Sequence, residues 1–328
     1  MVQYTVPVLL DAHTPSMSQP LRHSSRLPLD GFSSTAMVVL CVLWGFQQVA
    51  IKLAAHDMSP TLQVGIRSFV AAVLVAGLMV ARRESLSLRD GTLGPGLLVG
   101  LLFGGEFLVV SLGLEFTTAG HMAVFLYTAP IFAALGLHWR FPEERLNRRQ
   151  WAGVGVAFLG IAASFSGSFF VPVGRDLLIG DALGIAGGIL WAATTVAIRA
   201  SHLAETPPAK TLLYQLSGAA ALLLHVAWWR GDTAAVAMSA PLAVNLGFQT
   251  LIIAFVSYLF WFWLLRKYLA SRLSIFSFLT PLFGVTFGVL FLKEPLDAQF
   301  IAGSLLVLAG ITIVNWKGSP RLPPEPIA

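Results

Sequence analysis

Between residues 35 and 316 the apolar positions fall in long blocks separated by short polar or proline-bearing breaks. Each block is close to the ~20 residues that an α-helix needs to cross the hydrocarbon core of a bilayer. The pattern predicts helices near 35–54, 60–80, 94–114, 119–139, 150–167, 178–199, 210–229, 242–264, 272–292 and 299–316. Asp57-Met58-Ser59-Pro60, Arg89-Asp90-Gly91, Phe141-Pro142-Glu143 and Thr206-Pro207-Pro208 punctuate them with turn-forming residues. The expected fold class is an all-α integral membrane protein of ten transmembrane helices.

The blocks repeat. Leu43-Trp44 and Val49-Ala50-Ile51-Lys52 recur as Leu190-Trp191 and Val196-Ala197-Ile198-Arg199, each 147 positions on. Glu144, Leu146, Ala152, Gly153, Gly160 and Ile161 recur 150 positions on as Glu294, Leu296, Ala302, Gly303, Gly310 and Ile311. Phe125 and Pro130 recur as Phe276 and Pro281, 151 positions on. With five helices in each half, an odd number, the second copy must enter the membrane from the other side. The expected organisation is two inverted five-helix repeats, 34–167 and 178–316, flanked by tails 1–33 and 317–328. Inverted repeats place a binding site near the midplane and permit alternating access by rocking one half against the other.

Charge sets the orientation. Of the 21 Lys and Arg residues, sixteen fall in the tails and the connections on the N-terminal side, and four (Lys52, Arg175, Arg230 and Lys293) fall on the opposite side. Basic residues near span ends are retained in the cytoplasm, so both tails are expected there. The remaining one, Arg67, lies within a span.

Composition narrows the function. The chain is 56% hydrophobic and 11% charged, with a mean hydropathy of +0.76, whereas soluble domains carry ~25% charged residues. Ten spans leave no room for a large soluble domain. A net charge of +5 could suggest nucleic acid, but that requires basic residues on one soluble face, and here they sit between apolar runs. Cys41 is the single cysteine, which excludes an intramolecular disulfide or a thiolate metal cluster. Neither a Gly-x-x-x-x-Gly-Lys-Ser/Thr segment nor a His-Glu-x-x-His pair is present. No cofactor, metal or catalytic residue is therefore expected. The partners are a small-molecule substrate and the lipid bilayer, with protons as a candidate coupling ion.

Trp44 and Trp191 lie about ten residues into their helices, ~15 Å at 1.5 Å per residue, near the bilayer midplane, although tryptophan normally prefers the interfaces. Gln47, Gln48 and Lys52 follow Trp44 at helical spacing, and Thr194, Thr195 and Arg199 follow Trp191. Each half thus presents an aromatic and polar stripe, which could line a cavity or glue helices together. Tyr127, Tyr258 and Trp261 are further candidate liners; Trp263 cannot share the direction of Trp261. His121 is a candidate liner as well, although a histidine so near a span end is more often solvated. Arg67 and Glu106 fall at comparable depth in adjacent spans, where a charge costs at least ~2.5 kcal/mol. They could pair, hold a charged substrate group, or couple transport to protons through Glu106. Pro130 and Pro281 each remove a backbone hydrogen bond and are candidate hinges. Gly96, Gly100 and Gly104, like Gly180, Gly184 and Gly188, recur every four residues and predict close helix approach.

Taken together, the tryptophan-bearing first helix of each half, Arg67-Ser68-Phe69, and the proline followed by a Glu-bearing loop (Pro130 with Glu144, Pro281 with Glu294) resemble the drug/metabolite transporter superfamily, EamA type. The resemblance covers residues 35–316 and departs where Ser217 or Gly218 stands opposite Arg67. It implies a bacterial inner-membrane exporter of amino acids, aromatic or otherwise amphiphilic, or of related metabolites. The rival class is a lipid-handling, flippase-like protein or membrane enzyme that does not alternate access. Reporter tags inserted at Arg140–Arg149 and at Lys293–Asp297 should report opposite faces of the membrane; a common face would overturn the inverted duplication.

Overall fold

The computed structural model describes residues 30–142, 145–170, 175–268, 276–277, 279–296 and 298–315, without the side chains of 164–170, 265–266 and 315. Most of the two tails and the repeat-matched Glu144 lie outside the described residues. Within them the regular elements are helical: α1 (Gly31–Leu53), α2 (Pro60–Ala81), α3 (Leu93–Gly113), α4 (Ala119–Leu126), α5 (Ala129–Arg140), α6 (Arg148–Phe170), α7 (Arg175–Arg199), α8 (Pro208–Trp229), α9 (Ala240–Gly247), a π-helical segment (Phe248–Ser257), α10 (Tyr258–Lys267), α11 (Leu279–Leu292) and α12 (Ala298–Asn315). Among the described residues, seven stretches are long and apolar enough to cross a membrane, counting Ala119–Arg140 and Ala240–Leu264 as one each; α11 and α12 are shorter apolar helices.

The polar breaks start helices by capping. Asp30 accepts from Ser33 N at the start of α1, Ser59 from Leu62 N before Pro60 of α2, Thr118 from His121 N at α4 and Ser239 from Leu242 N at α9. Each side-chain oxygen satisfies one of the N–H groups that a helix leaves without an internal partner.

Two spans are less regular than the pattern predicts. The expected helix 119–139 is broken at Tyr127-Thr128 into α4 and α5. Pro130 has no N–H to give to Leu126 O, and Thr128 Oγ1 turns back to donate to Phe125 O at 2.6 Å. Pro130 therefore sits in the first turn of α5, and Pro281 near the start of α11. The expected helix 242–264 contains the π segment, whose wider turn brings Gln249, Thr250, Ile253, Ala254 and Ser257 into the interior. Such segments are rare and tend to mark functional sites.

Glycine sets how closely helices approach. A Cβ on Gly160 of α6 would stand 2.7 Å from Gly303 O and 2.5 Å from Val307 N of α12, and one on Gly153 would stand 2.9 Å from Gly310 O. Gly153 thus meets Gly310 while Gly160 meets Gly303, so the two repeat-matched helices cross antiparallel with reciprocal contacts. In the same way Gly100 of α3 abuts Tyr214 O of α8, Gly180 of α7 abuts Gly113 O of α3, and Gly45 of α1 abuts Thr280 O of α11. The predicted ridges at 96–104 and 180–188 are these contacts.

Large apolar side chains cover the outer surface, among them Val73, Leu97, Leu101, Val244, Leu251, Leu290 and Leu305. Trp139 closes α5, and Trp228 and Trp229 close α8; all three are exposed, as aromatic residues at membrane interfaces are. Substituting Gly160→Ala should destabilise the protein by about 1–3 kcal/mol through overpacking against backbone. Gly155→Ala, on the same helix with nothing within 4 Å of a new Cβ, should leave the melting temperature in detergent unchanged or higher.

Candidate functional site

Two aromatic pairs join the halves of the chain at the centre of the bundle. Trp44 of α1 meets Trp261 of α10 edge-on at 5.7 Å between centroids, and Tyr127, after α4, meets Trp191 of α7 edge-on at 5.2 Å. Trp44 Nε1 also donates to Ser257 Oγ of the π segment at 2.9 Å. Trp263 points elsewhere, stacked on Phe260.

Beside these rings lie charged groups of α2 and α3. Arg67 is 2% exposed and Glu106 is 5% exposed. The Arg67 guanidinium lies over the Phe107 ring, 4.8 Å from its centroid. Among the described residues no contact within 4.0 Å joins Arg67 to Glu106, although each is in electrostatic reach of the other and both act on Tyr258. Among the described residues, Arg67 Nε and Nη1, Glu106 Oε2 and Gln48 Oε1 are buried with no hydrogen-bond partner. Thr280 lies against the Tyr127 hydroxyl, and Cys41, Tyr258 and Glu106 are within electrostatic reach of it. Helices α1, α2, α3, α4, α10 and α11 therefore converge on one region that combines unpaired polar atoms with aromatic faces. Buried polar groups in proteins are nearly always paired, and in hydrocarbon an unpaired one costs several kcal/mol.

The remaining sequence candidates are placed as follows. Gln47 is buried. Thr194 is buried and donates to Leu190 O at 2.9 Å, whereas Thr195 is on the exposed side of α7 and donates to Trp191 O at 3.1 Å. Lys52 leaves the Trp44 stripe: its ammonium bonds to Thr117 O and lies 3.9 Å from Glu294.

Two expectations are corrected. His121 is not solvated but 6% exposed. Its Nδ1 lies 2.9 Å from Asp181 Oδ2, and its ring stacks on Phe300 at 3.8 Å. Asp181 of α7 supplies the partner and also accepts from Thr117 Oγ1, a polar cluster that the sequence separates by 60 positions. Because the carboxylate bridges both groups and the hydroxyl bonds to Asp181 rather than the imidazole, this is not the nucleophile–base–acid order of a catalytic triad. Nor is Arg67, the one basic residue that the sequence places within a span, the only buried cation. Lys210 is 3% exposed, paired with Asp90 and donating to Ser87 O at 2.5 Å; the ammonium holds the Asp90 carboxyl below its ordinary range.

A groove of about 490 Å³ between α2 and α8, lined by Phe69, Val73, Leu213, Ala221 and Leu224 among others, is open and apolar. It contains none of these polar groups.

The sequence profile of the EamA-like transporter family matches this chain twice, over residues 32–166 and 178–316. The chain belongs to the EamA-like transporter family. This EamA-like chain is a multi-pass membrane protein. It is 25% identical over 286 residues to the uncharacterized transporter YoaV of Bacillus subtilis, covering 87% of this chain and 97% of that one. It is 27% identical over 296 residues to a probable amino-acid metabolite efflux pump of Salmonella typhimurium, covering 87% and 94%. A crystal structure aligned over 86% of this chain and 97% of the other, at a TM-score of 0.61 and 15% identity, shares the fold alone.

Electrostatic dependence between Arg67 and Glu106 is measurable without substrate. In a double-mutant cycle of thermal unfolding, Arg67→Met and Glu106→Gln should each destabilise the EamA-like transporter, and the pair together should cost less than the two alone. A coupling of about 1 kcal/mol or more is expected, and strict additivity would show that the two charges are independent.

Proposed function

We propose that this protein is a secondary transporter of ten transmembrane helices in two inverted repeats, which exports amino acids with aromatic or otherwise amphiphilic side chains by alternating access. The observation that carries this reading is the central region where unpaired Arg67 and Glu106 groups lie beside Trp44, Trp191, Tyr127, Tyr258 and Trp261. A zwitterion fits that set: the guanidinium takes the carboxylate in a charge-assisted bond, the Glu106 carboxylate takes the ammonium, and the rings take the side chain. Gln48, one turn from Trp44, offers a further hydrogen bond. A phosphorylated substrate would favour several free cations, and the other buried cation, Lys210, is engaged by Asp90.

The antiparallel crossing of α6 and α12 through reciprocal glycines, together with the two family matches, supports the inverted duplication. The ten spans comprise the seven long apolar stretches, α6, and the spans containing α11 and α12. The excess of basic residues on one side supports cytoplasmic termini in a bacterial inner membrane. Glu106 also suits the coupling role. A proton and a substrate ammonium compete for one carboxylate, so release of one accompanies capture of the other and the proton gradient drives export. Pro130 and Pro281, each at the start of a helix segment, serve as the hinges.

Counterflow in proteoliposomes with a panel of aromatic, aliphatic and charged amino acids tests the reading. Aromatic or large apolar amino acids should exchange, and Trp44→Ala or Trp191→Ala should lower their exchange by about tenfold, equivalent to ~1.4 kcal/mol. Glu106→Gln should abolish the proton-driven component. Lipid scrambling without amino-acid exchange would favour the flippase-like alternative instead.

A further inference from the structure

Glu294, singled out by the sequence repeat, plays no part in the central region. It lies at the end of the bundle where α1 finishes, after α11. There its Oε1 accepts from Ala119 N at 2.7 Å and its Oε2 from Gly120 N at 3.0 Å, so the carboxylate sits across the N-terminus of α4. Lys52, from the last turn of α1, bonds to Thr117 O immediately before α4 and lies 3.9 Å from the same carboxylate. Gly288 of α11 makes room for this contact: a Cβ there would collide with Glu294 Oε2. The base of the contact is itself held in place, because Thr117 Oγ1 donates to Asp181, which also binds His121.

The groups on the two sides of this contact come from different glycine-packed sets of helices, which also meet where Gly284 of α11 fits against Ala123 of α4. Lys52 and Glu294 come from α1 and from the end of α11, which approach backbone to backbone at Gly45 and Thr280. Thr117, Ala119 and Gly120 belong with α3, α4 and α7, which approach at Gly113, Gly180 and Gly188. Within each set the close contacts are small residues against backbone. Between the sets, at this end, part of the contact is polar: a carboxylate on helix N–H groups and an ammonium on a carbonyl. The fit of α4 on α11 is tight at Ala123 and Gly284 but of ordinary van der Waals distance one turn nearer the end, at Gly120 and Val285, so the end can part about that deeper contact while charged groups and helix termini exchange protein partners for water.

Resting on the alternating-access reading above, we propose that Glu294 and Lys52 form a reversible latch that closes this end of the transporter by capping α4, and that releasing it is the step that opens the end. The carboxylate is matched to the positive end of the α4 dipole, and Lys52 balances its charge. Both are positioning residues: they act on the helix that carries Tyr127 at its other end and do not touch the central region.

The test reads geometry rather than transport, so it stands or falls separately from the amino-acid reading. In a Cys41→Ser background, spin labels at Phe116→Cys and Leu296→Cys, both exposed, report the latched end by pulsed electron resonance in nanodiscs. A second pair, Trp139→Cys and Lys267→Cys, reports the opposite end. Glu294→Gln and, separately, Lys52→Met should shift the first distribution to longer distances and the second to shorter ones. General loosening would broaden both pairs without this opposed shift. Unchanged distributions, or broadening alone, in both variants would overturn the proposal. If Glu294→Gln does not yield a monodisperse helical protein, Lys52→Met decides alone. A clear opposed shift in a protein that exchanges no amino acid would leave the latch standing and remove the substrate assignment.

Discussion

Hydrocarbon offers no hydrogen bonds, and the rest of this structure depends on that constraint. Every backbone amide in a span must be satisfied within the protein, which makes the described regular structure helical and leaves side-chain packing as the main means of joining one helix to the next. Because lipid tails are as apolar as leucine, helices gain little by burying leucine against each other. They gain by close fit, and the close fit here is glycine against backbone in α3 with α8, α3 with α7, α1 with α11 and α6 with α12. The same constraint gives meaning to polar groups. Gln63 donates to Met58 O and Ile51 O, Gln249 donates to Gln63 Oε1, and Asn245 donates to Ala50 O, so the interior amides near the end of α1 are largely tied together. Against that background, the unpaired atoms of Arg67 and Glu106 stand out.

Much of this was legible in the sequence because it follows from short-range periodicity. Most span positions and the glycine ridges are local patterns, and among the described residues they reappear with ends shifted by a few residues. The place of Trp44 and Trp191 midway along their helices is a matter of counting; their partners Trp261 and Tyr127 come from other elements. Separating Trp261 from Trp263 needed only the 100° step of a helix.

What escaped the sequence depends on contacts between distant segments or on backbone irregularity without a marker. Asp181 lies on α7 and its partners Thr117 and His121 lie around the start of α4, so nothing local distinguishes His121 from a solvated residue. Lys210 looked like a loop cation until the Asp90 turn folded over it. Lys52 belonged by spacing to the Trp44 stripe, but its long side chain reaches beyond the stripe to Thr117 and Glu294. The π segment contains neither proline nor an internal glycine, so no residue announces it. The break at Tyr127-Thr128 was signalled by Pro130 as a bend; that it separates two helices depends on Thr128 turning back onto Phe125.

That break has an electrostatic consequence. Where a continuous helix would cancel its internal dipoles end to end, the interrupted fourth span leaves the negative end of α4 and the positive end of α5 facing each other deep in the protein, next to Tyr127 and Trp191. Opposed partial charges of this kind cannot titrate and need no counterion. They give the interior a permanent polarity with a fixed direction, so a dipolar guest would enter in one orientation whatever the pH on either side of the membrane.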